Sequence, residues 1–257
     1  MVGSVVNSHE MNIKMDMLHA KSKSYANRVS DAKNIISRAL DQMKLPYLSF
    51  SGGKDSLVML HMVLEQNPNV AVVYWDADAS YPDTDEFLAR ISDEWDIDII
   101  RFKTRPILDV FREFGIDHPQ IEQKTMVATV YEPIKRLIAE YGFDGVFVGL
   151  RREESYGRKQ LIKYRGPIFH SKYQNVIECL PVAYFSVQDV WAYITTNDLP
   201  HNPVYDKTST RPRNEIRVSY YCGETLRSHG RFVWLKKEYP DLYNKFAAEF
   251  PEVRHFG

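Results

Sequence analysis

This sequence has little cysteine, no long apolar run and almost no net charge. Its 257 residues include only two cysteines, Cys179 and Cys222, in no Cys-x-x-Cys pair. That spacing argues against a disulfide framework and against a four-thiolate zinc or iron–sulfur site. The eight histidines show no paired metal-ligand spacing either. We therefore expect neither zinc nor an iron–sulfur cluster.

No apolar run approaches the roughly 20 residues that a membrane helix requires. The amino end mixes charged residues among its apolar ones, unlike a signal peptide. A net charge of −1 gives no general attraction to nucleic acid or membrane. We expect a soluble, cytoplasmic protein without a membrane partner.

Short apolar runs alternate with helical patterns along most of the chain. Strand–helix–strand units with right-handed crossovers build a mostly parallel sheet. We therefore predict an α/β fold, a mostly parallel twisted sheet with helices on both faces. Strands are predicted at 47–50, 70–75, 97–102, 146–148 and 176–180, and an aromatic-rich helix at 231–249. The predicted domains are a loose leader (1–19), a nucleotide-binding α/β domain (20–207) and a C-terminal loop and helix appendage (208–257).

A glycine-rich turn, residues 51–56, stands between the first strand and the helix that follows it. It reads Ser51-Gly52-Gly53-Lys54-Asp55-Ser56. Ligands of open α/β sheets bind beyond the carboxyl ends of the strands. Adjacent glycines allow close backbone approach, and the N–H groups at a helix start form an anion cradle. The two serine hydroxyls and the lysine add polar contacts, and the aspartate orients the loop or helps to hold magnesium.

The other interpretation of this turn is a simple change of chain direction, which we consider less favoured. The turn also fails the common P-loop pattern, because Asp55 follows Lys54 and Leu48 stands where a glycine is required. An ATPase or kinase that cleaves between the β and γ phosphates is therefore disfavoured.

The turn resembles the Ser-Gly-Gly-x-Asp-Ser signature of the PP-loop ATP pyrophosphatases. Within that superfamily the chain is similar to the branch that contains 3′-phosphoadenylylsulfate (PAPS) reductase and the small subunit of ATP sulfurylase. The resemblance implies an adenine nucleotide alpha hydrolase-like fold and cleavage of ATP between the α and β phosphates. It runs over about residues 45–207 and includes Trp75-Asp76-Ala77-Asp78, Tyr81-Pro82-Asp83-Thr84, Gly149-Leu150-Arg151-Arg152-Glu153-Glu154-Ser155 with Arg158, and Asn202-Pro203-Val204-Tyr205-Asp206.

The turn and the resemblance together predict a nucleotide site. The predicted catalytic residues are Lys54, Asp55, Arg151 and Arg152, and Asp55 is also the predicted magnesium ligand. The nucleotide-binding residues are expected to be Ser49, Ser51, Gly52, Gly53, Lys54, Asp55, Ser56, Asp76, Gly149, Arg151, Arg152 and Arg158. The simpler alternatives are a strand-terminating aspartate at 76 and an ordinary Arg/Glu surface network at 151–158. Lys159, Lys163 and Arg165 are interpreted as surface charges.

Two departures separate the chain from the reductases of that branch. Those enzymes use a cysteine in a C-terminal Glu-Cys-Gly-Leu-His segment, whereas residues 251–257 contain none and Cys222 has a different context. Their glycine loop is eroded, whereas Asp55 and Ser56 are kept here. Both departures favour ATP over a sulfonucleotide as the ligand.

We predict an ATP pyrophosphatase or adenylyltransferase that acts on an unidentified anionic acceptor, with ATP as substrate and magnesium as cofactor. A thiol-dependent (phospho)adenylylsulfate reductase acting through Cys222 stays open, as does a non-catalytic nucleotide-binding or nucleic-acid-associated module. A homo-oligomer or a partner subunit is expected. A basic stretch offers phosphate contacts to a polynucleotide, although a solvated tail is favoured: Arg211, Arg213, Arg217, Arg227 and Arg231.

Overall fold

The computed structural model of the chain describes residues 8–220, 222 and 231–255. Its strands are β1 (Pro46–Ser49), β2 (Ala71–Asp76), β3 (Ile99–Lys103), β4 (Gly145–Val148), β5 (Ile168–Ser171) and β6 (Val176–Cys179). Its α-helices are α1 (Ser8–Ala20), α2 (Lys23–Leu40), α3 (Lys54–Leu64), α4 (Pro82–Trp95), α5 (Ile107–Phe114), α6 (Ile121–Met126), α7 (Glu132–Tyr141), α8 (Tyr156–Arg165), α9 (Val187–Thr196), α10 (Arg231–Glu238) and α11 (Pro240–Glu249).

The six strands form one sheet in the order β3-β2-β1-β4-β6-β5. Three pairs, β1–β4, β4–β6 and β2–β3, are parallel, whereas β5 runs antiparallel to its neighbour β6. The predicted α/β class and mostly parallel sheet are therefore confirmed. After β1 the chain adds β2 and β3 on one side of that strand, and then β4 on its other side. The strand order therefore reverses between β1 and β4. Ligands of doubly wound sheets bind at such a reversal.

The chain divides into two compact units. The first contains the described residues up to Phe50, Lys54–Ala71 and Phe143–His201. The second contains Ser51–Gly53, Val72–Gly142 and the described residues from Asn202 onward. The described residues of 208–257 thus lie in the same unit as α4 and β3, and the boundary at 207/208 stays a prediction. Within that segment, residues 221, 223–230 and 256–257 lie outside the described residues.

In the first unit, α2 packs against β6 and α3 against β4. Helix α2 is amphipathic, because its buried residues recur at helical spacing: Ala32, Ile35, Ile36 and Ala39. Ser22 caps it by accepting a hydrogen bond from the Tyr25 backbone N–H at 3.2 Å. Almost all of α3 is buried, which holds the turn before it in a fixed place.

Helix α1 corrects the prediction of a loose leader over residues 8–19, while residues 1–7 lie outside the described residues. It packs against α9, where Asp16 accepts from the Thr195 hydroxyl at 2.9 Å. His19 Nε2 lies 2.8 Å from the buried Asp189 carboxylate. Polar contacts, rather than an apolar stripe, hold this helix, so hydrophobic periodicity did not reveal it.

In the second unit, aromatic side chains connect the last two helices to α4 and α5. The Tyr81 ring lies 5.7 Å from that of Trp234 and 4.9 Å from that of Tyr239. The single helix predicted at 231–249 is two helices, because Pro240 has no N–H to continue α10. No helix in the described ranges is long and apolar enough to span a membrane.

Candidate functional site

The glycine turn connects β1 to α3, as its sequence predicted. Strand β1 ends at Ser49, and α3 begins at Lys54. Gly52 has a φ of +70°, in the left-handed region that glycine adopts without strain. A Cβ at Gly53 would lie 3.1 Å from Val218 Cγ2, so a larger residue there would crowd its neighbours. Backbone geometry therefore favours glycine at 52, and close packing favours a small residue at 53.

Asn202 and Thr84 support this turn within the second unit. Asn202 Nδ2 donates to the Gly52 carbonyl at 3.2 Å and lies 3.0 Å from Thr84 Oγ1. Both side chains are almost fully buried, at 1% and 0% exposure. Both residues lie in the family motifs named above, but neither is among the predicted site residues. Their buried polar side chains were the missing signal, because burial is visible only in the fold.

In the first unit, Asp55 is shared by two buried cations. Its Oδ2 lies 3.1 Å from Lys54 Nζ, and its Oδ1 accepts from Arg151 Nε. Lys54 and Arg151 are only 6% and 4% exposed. Burial alone would raise the pKa of the Asp55 carboxyl, but Lys54 and Arg151 outweigh burial and lower that pKa. Asp55 is thus an anion held between two cations.

Gly149 allows the end of β4 to approach the first turn of α3. A Cβ at Gly149 would lie 3.0 Å from the backbone N and Cα of Ser56. Since Ser49 pairs with Val148, the segments that follow β1 and β4 begin side by side. This close approach brings Arg151, two residues beyond Gly149, to Asp55.

The other predicted arginines do not join Asp55. Arg152 is exposed, and its guanidinium carbon lies 5.3 Å from the centre of the Tyr184 ring. Arg158 Nη1 pairs with Glu154 Oε2 at 2.5 Å. Glu154 Oε2 also accepts from the Arg151 backbone N–H at 2.9 Å. The structure therefore brings Arg151 to the turn and links Arg158 to it only through Glu154.

The remaining predicted residues lie at strand ends or in the turn itself. In the second unit, Asp76 ends β2, is 8% exposed, and its Oδ2 lies 2.9 Å from Lys103 Nζ. Its Oδ1 accepts from the Asp78 backbone N–H at 3.1 Å. Ser51 Oγ lies 3.4 Å from the Gly53 backbone N, and Ser56 is buried. Their contacts with a nucleotide stay predictions.

Arg231, in the basic stretch near the end of the chain, has a structural role. Arg231 is 4% exposed and donates to the backbone carbonyls of Arg217, Ser219 and Tyr220. This guanidinium is therefore held inside the protein and is not part of the solvated tail that we favoured for this stretch. Arg227 lies outside the described residues.

A glycine turn at the strand-order reversal of a mostly parallel sheet defines a class of α/β proteins that bind their ligand at that edge. The chain belongs to the phosphoadenosine phosphosulfate reductase domain family, whose sequence pattern matches residues 45–241. This match covers β1 to the start of α11 and so includes the whole candidate site.

Curated relatives are about one quarter identical to this chain over the aligned residues. MJ0973 of Methanocaldococcus jannaschii is 25% identical, over 95% of this chain and 60% of its own length. MJ0066 of the same organism is 27% identical, over 94% of this chain and 49% of its own length. The chain thus spans about half of these two relatives. The phosphoadenosine 5′-phosphosulfate reductase of Yersinia pseudotuberculosis is 28% identical, over 80% of this chain and 84% of its own length.

Solved structures share the fold at low identity. The PAPS reductase of Candida auris has a TM-score of 0.55 at 18% identity and covers 79% of this chain and 94% of its own. The FMN adenylyltransferase of Candida glabrata in complex with ATP has a TM-score of 0.55 at 13% identity and covers 76% of this chain and 66% of its own. The U34-tRNA thiolase NcsA of Methanococcus maripaludis has a TM-score of 0.52 at 15% identity and covers 90% of this chain and 82% of its own.

The cofactor expectations need correction. The thiolase carries a [4Fe–4S] cluster, so this fold does not exclude one, and our exclusion was wrong. For magnesium, the described part of the chain contains no group of three or more His, Cys, Asp or Glu side chains able to hold a metal. Both oxygens of Asp55 contact cations, and its role as a magnesium ligand stays a prediction.

Proposed function

We propose that this protein binds ATP through residues 51–56 and transfers its adenylyl group to an anionic acceptor, releasing pyrophosphate. The observation that carries this proposal is the buried Lys54–Asp55–Arg151 network at the carboxyl ends of β1 and β4. Buried charges at a ligand-binding edge are more common in functional sites than in ordinary surfaces. The acceptor is left open.

The amino end of α3 suits a polyphosphate. An α-helix does not use the N–H groups of its first turn in its own hydrogen bonds, and its dipole places positive charge there. Gly52 and Gly53 keep side chains away from the backbone at this point. In the proposed complex, Lys54 exchanges part of its contact with Asp55 for the phosphate oxygens, while Arg151 keeps Asp55 in place.

The proposed reaction is an in-line displacement at the α-phosphorus. An oxygen of the acceptor forms the new P–O bond as the bond between the α-phosphorus and its bridging oxygen to the β-phosphorus breaks. The electron pair of that bond leaves with pyrophosphate, whose charge the helix dipole and Lys54 stabilise. An acceptor that is already anionic needs no general base.

Proteins of known activity that share this fold support adenylyl transfer as the reaction. One is an FMN adenylyltransferase solved with ATP and, separately, with FAD and inorganic pyrophosphate. Adenylyl transfer to FMN releases pyrophosphate from ATP, which is the bond change proposed here. These similarities are at 13–14% identity and support the proposal through the fold alone.

Sulfonucleotide reduction is the second candidate, because curated relatives at 27–28% identity are PAPS reductases. A reductase of this kind needs a thiolate. Cys179 and Cys222 are both fully buried, and burial raises the pKa of each thiol far above its ordinary value of 9.0. These buried thiols make reduction the less favoured proposal.

The test is incubation with α-labelled ATP and a panel of acceptors, namely sulfate, molybdate, FMN, carboxylates and RNA. We expect an adenylylated product and pyrophosphate with one of them, and loss of both in Lys54→Gln. Lys44→Gln, on an exposed residue of the same unit, is the matched control. Formation of ADP would overturn the proposal. Thiol-dependent release of sulfite from PAPS, abolished by Cys222→Ser, would establish the reductase instead, and ATP binding without turnover would leave a binding module.

A further inference from the structure

The segment from Ser155 to Asn175 holds more basic residues without an intervening Asp or Glu than any other stretch of the chain. It contains no Asp or Glu and five basic residues: Arg158, Lys159, Lys163, Arg165 and Lys172. The whole chain, by contrast, has 33 basic and 34 acidic residues. The segment forms α8, β5 and the turn to β6, all within the first unit.

Helix α8 arranges part of this charge on one outward face. That face consists of Tyr156, Lys159, Gln160, Lys163 and Tyr164, at the i, i+3, i+4, i+7, i+8 spacing of a helix side. The two tyrosines are 78% and 75% exposed, although tyrosine rings usually cover apolar surface. They stand roughly 12 Å apart along the helix at 1.5 Å per residue.

The opposite side of α8 holds the helix firmly in place. Ile162 is 3% exposed and packs with Leu180 and Ala183. At the end of α8, the Arg165 guanidinium carbon lies 4.8 Å from the centre of the Phe169 ring. The outward face is therefore presented on a supported helix.

The lysines of this face are not neutralised by carboxylates. Arg158 pairs with Glu154, but no carboxylate of the described residues forms an ion pair with Lys159, Lys163 or Lys172. Lys163 Nζ instead lies 5.5 Å from the centre of the Tyr164 ring. An ordinary solvated helix face mixes both signs of charge, and this one does not.

We propose that the outward face of α8 is a docking surface for single-stranded nucleic acid. Lysines attract the phosphates of a polynucleotide, and exposed aromatic rings stack on unpaired bases. An acidic polypeptide would use the lysines but leave the rings uncovered. A duplex hides its base faces. Binding here requires no turnover at residues 51–56, so the proposal is independent of the proposed reaction.

The test is fluorescence anisotropy with labelled single-stranded RNA and DNA of about 20 nucleotides, longer than the roughly 4–16 nucleotides that one binding fold covers. We expect saturable binding that weakens with salt. Tyr156→Ala/Tyr164→Ala should weaken the affinity at least about fivefold, the lower range for losing one base stack. Lys159→Glu/Lys163→Glu should weaken the affinity by at least about as much, because it removes two phosphate contacts and adds repulsion. Tyr156→Phe/Tyr164→Phe keeps the rings and should bind like the parent.

Lys21→Glu/Lys23→Glu is the matched control, because it makes the same charge change on exposed residues of the same unit. It should leave affinity within about twofold, since general attraction by net charge is weaker than a local phosphate contact. Equal weakening by this control, or absence of saturable binding, overturns the proposal. Polyphosphate or polyglutamate binding as tightly as the oligonucleotides, with no effect of the tyrosine variants, overturns it in favour of charge alone. Thermal melting confirms that each variant is folded.

Discussion

Arg151 and Asp55 form a buried ion pair although 96 positions separate them in the chain. The pair connects the segment after β4 to the first turn of α3, next to the glycine turn. Asp55 also contacts Lys54, so one carboxylate fixes two cations. This relationship decides which of the predicted arginines belongs to the candidate site.

Removal of the Arg151 charge should destabilise the protein strongly. Arg151→Met keeps a long side chain but leaves Asp55 with Lys54 alone, and breaking a buried pair on one side costs about 3–5 kcal/mol. Urea unfolding measures the change, with Arg38→Met on the exposed side of α2 as control. In Asp55→Asn/Arg151→Met the loss should be smaller than the sum of the single losses by roughly 1–3 kcal/mol. Simple additivity would contradict the coupling.

Gly149→Ala should disturb the candidate site. The added Cβ meets the Ser56 backbone at 3.0 Å, so β4 or α3 must shift. We expect a loss of about 1–3 kcal/mol in stability, typical of overpacking, and weaker ATP binding. Gly157→Ala is the control, because its Cβ meets nothing nearer than 4.0 Å. Calorimetric titration with ATP that gives equal affinities for both variants would argue against the proposed role of Gly149.

Asn202→Ala should loosen the glycine turn. The change removes the donor to the Gly52 carbonyl and leaves the Thr84 hydroxyl without this partner, at a cost of about 1–3 kcal/mol for buried polar groups. If half of that cost falls on ligand binding, the affinity for ATP falls by roughly tenfold or less. Asn34→Ala, exposed on α2, serves as control. An unchanged affinity for ATP in Asn202→Ala would separate this residue from the site.

Asp189 should make the docking of α1 sensitive to acid. Burial alone would raise its pKa, but hydrogen bonds from His19 and Ser186 and the charge of Arg28 outweigh burial and lower it below the ordinary 3.8. A lowered folded-state pKa means that the stabilisation is fully present above the unfolded value and is lost as the pH falls through the folded value. The stability gap between the parent and Asp189→Asn should therefore shrink between about pH 5 and pH 2.

Thermal melts across that pH range measure this gap. Asp31→Asn, on an exposed residue of α2, should show no such pH-dependent difference. A constant gap between the parent and Asp189→Asn at all pH values would contradict the assignment to this carboxylate.

The sequence by itself determined the parallel strands and the turn. Predicted strands at 47–50, 70–75, 97–102, 146–148 and 176–180 fall within two residues of β1, β2, β3, β4 and β6, because buried parallel strands are continuous apolar runs. The glycine turn was visible for a similar reason, since its backbone shape requires particular residues in adjacent positions. Local signals of this kind do not depend on the rest of the fold.

Only the tertiary structure decided the partners. Strand β5 was missed because an edge strand in a basic segment lacks an apolar run, and α1 was missed because polar contacts with α9 hold it. The sequence offered three arginines after β4, and the fold brings Arg151 alone to Asp55. It likewise places Asn202 against Gly52. Such pairings depend on which segments the sheet order brings together, and no local pattern of residues encodes that order.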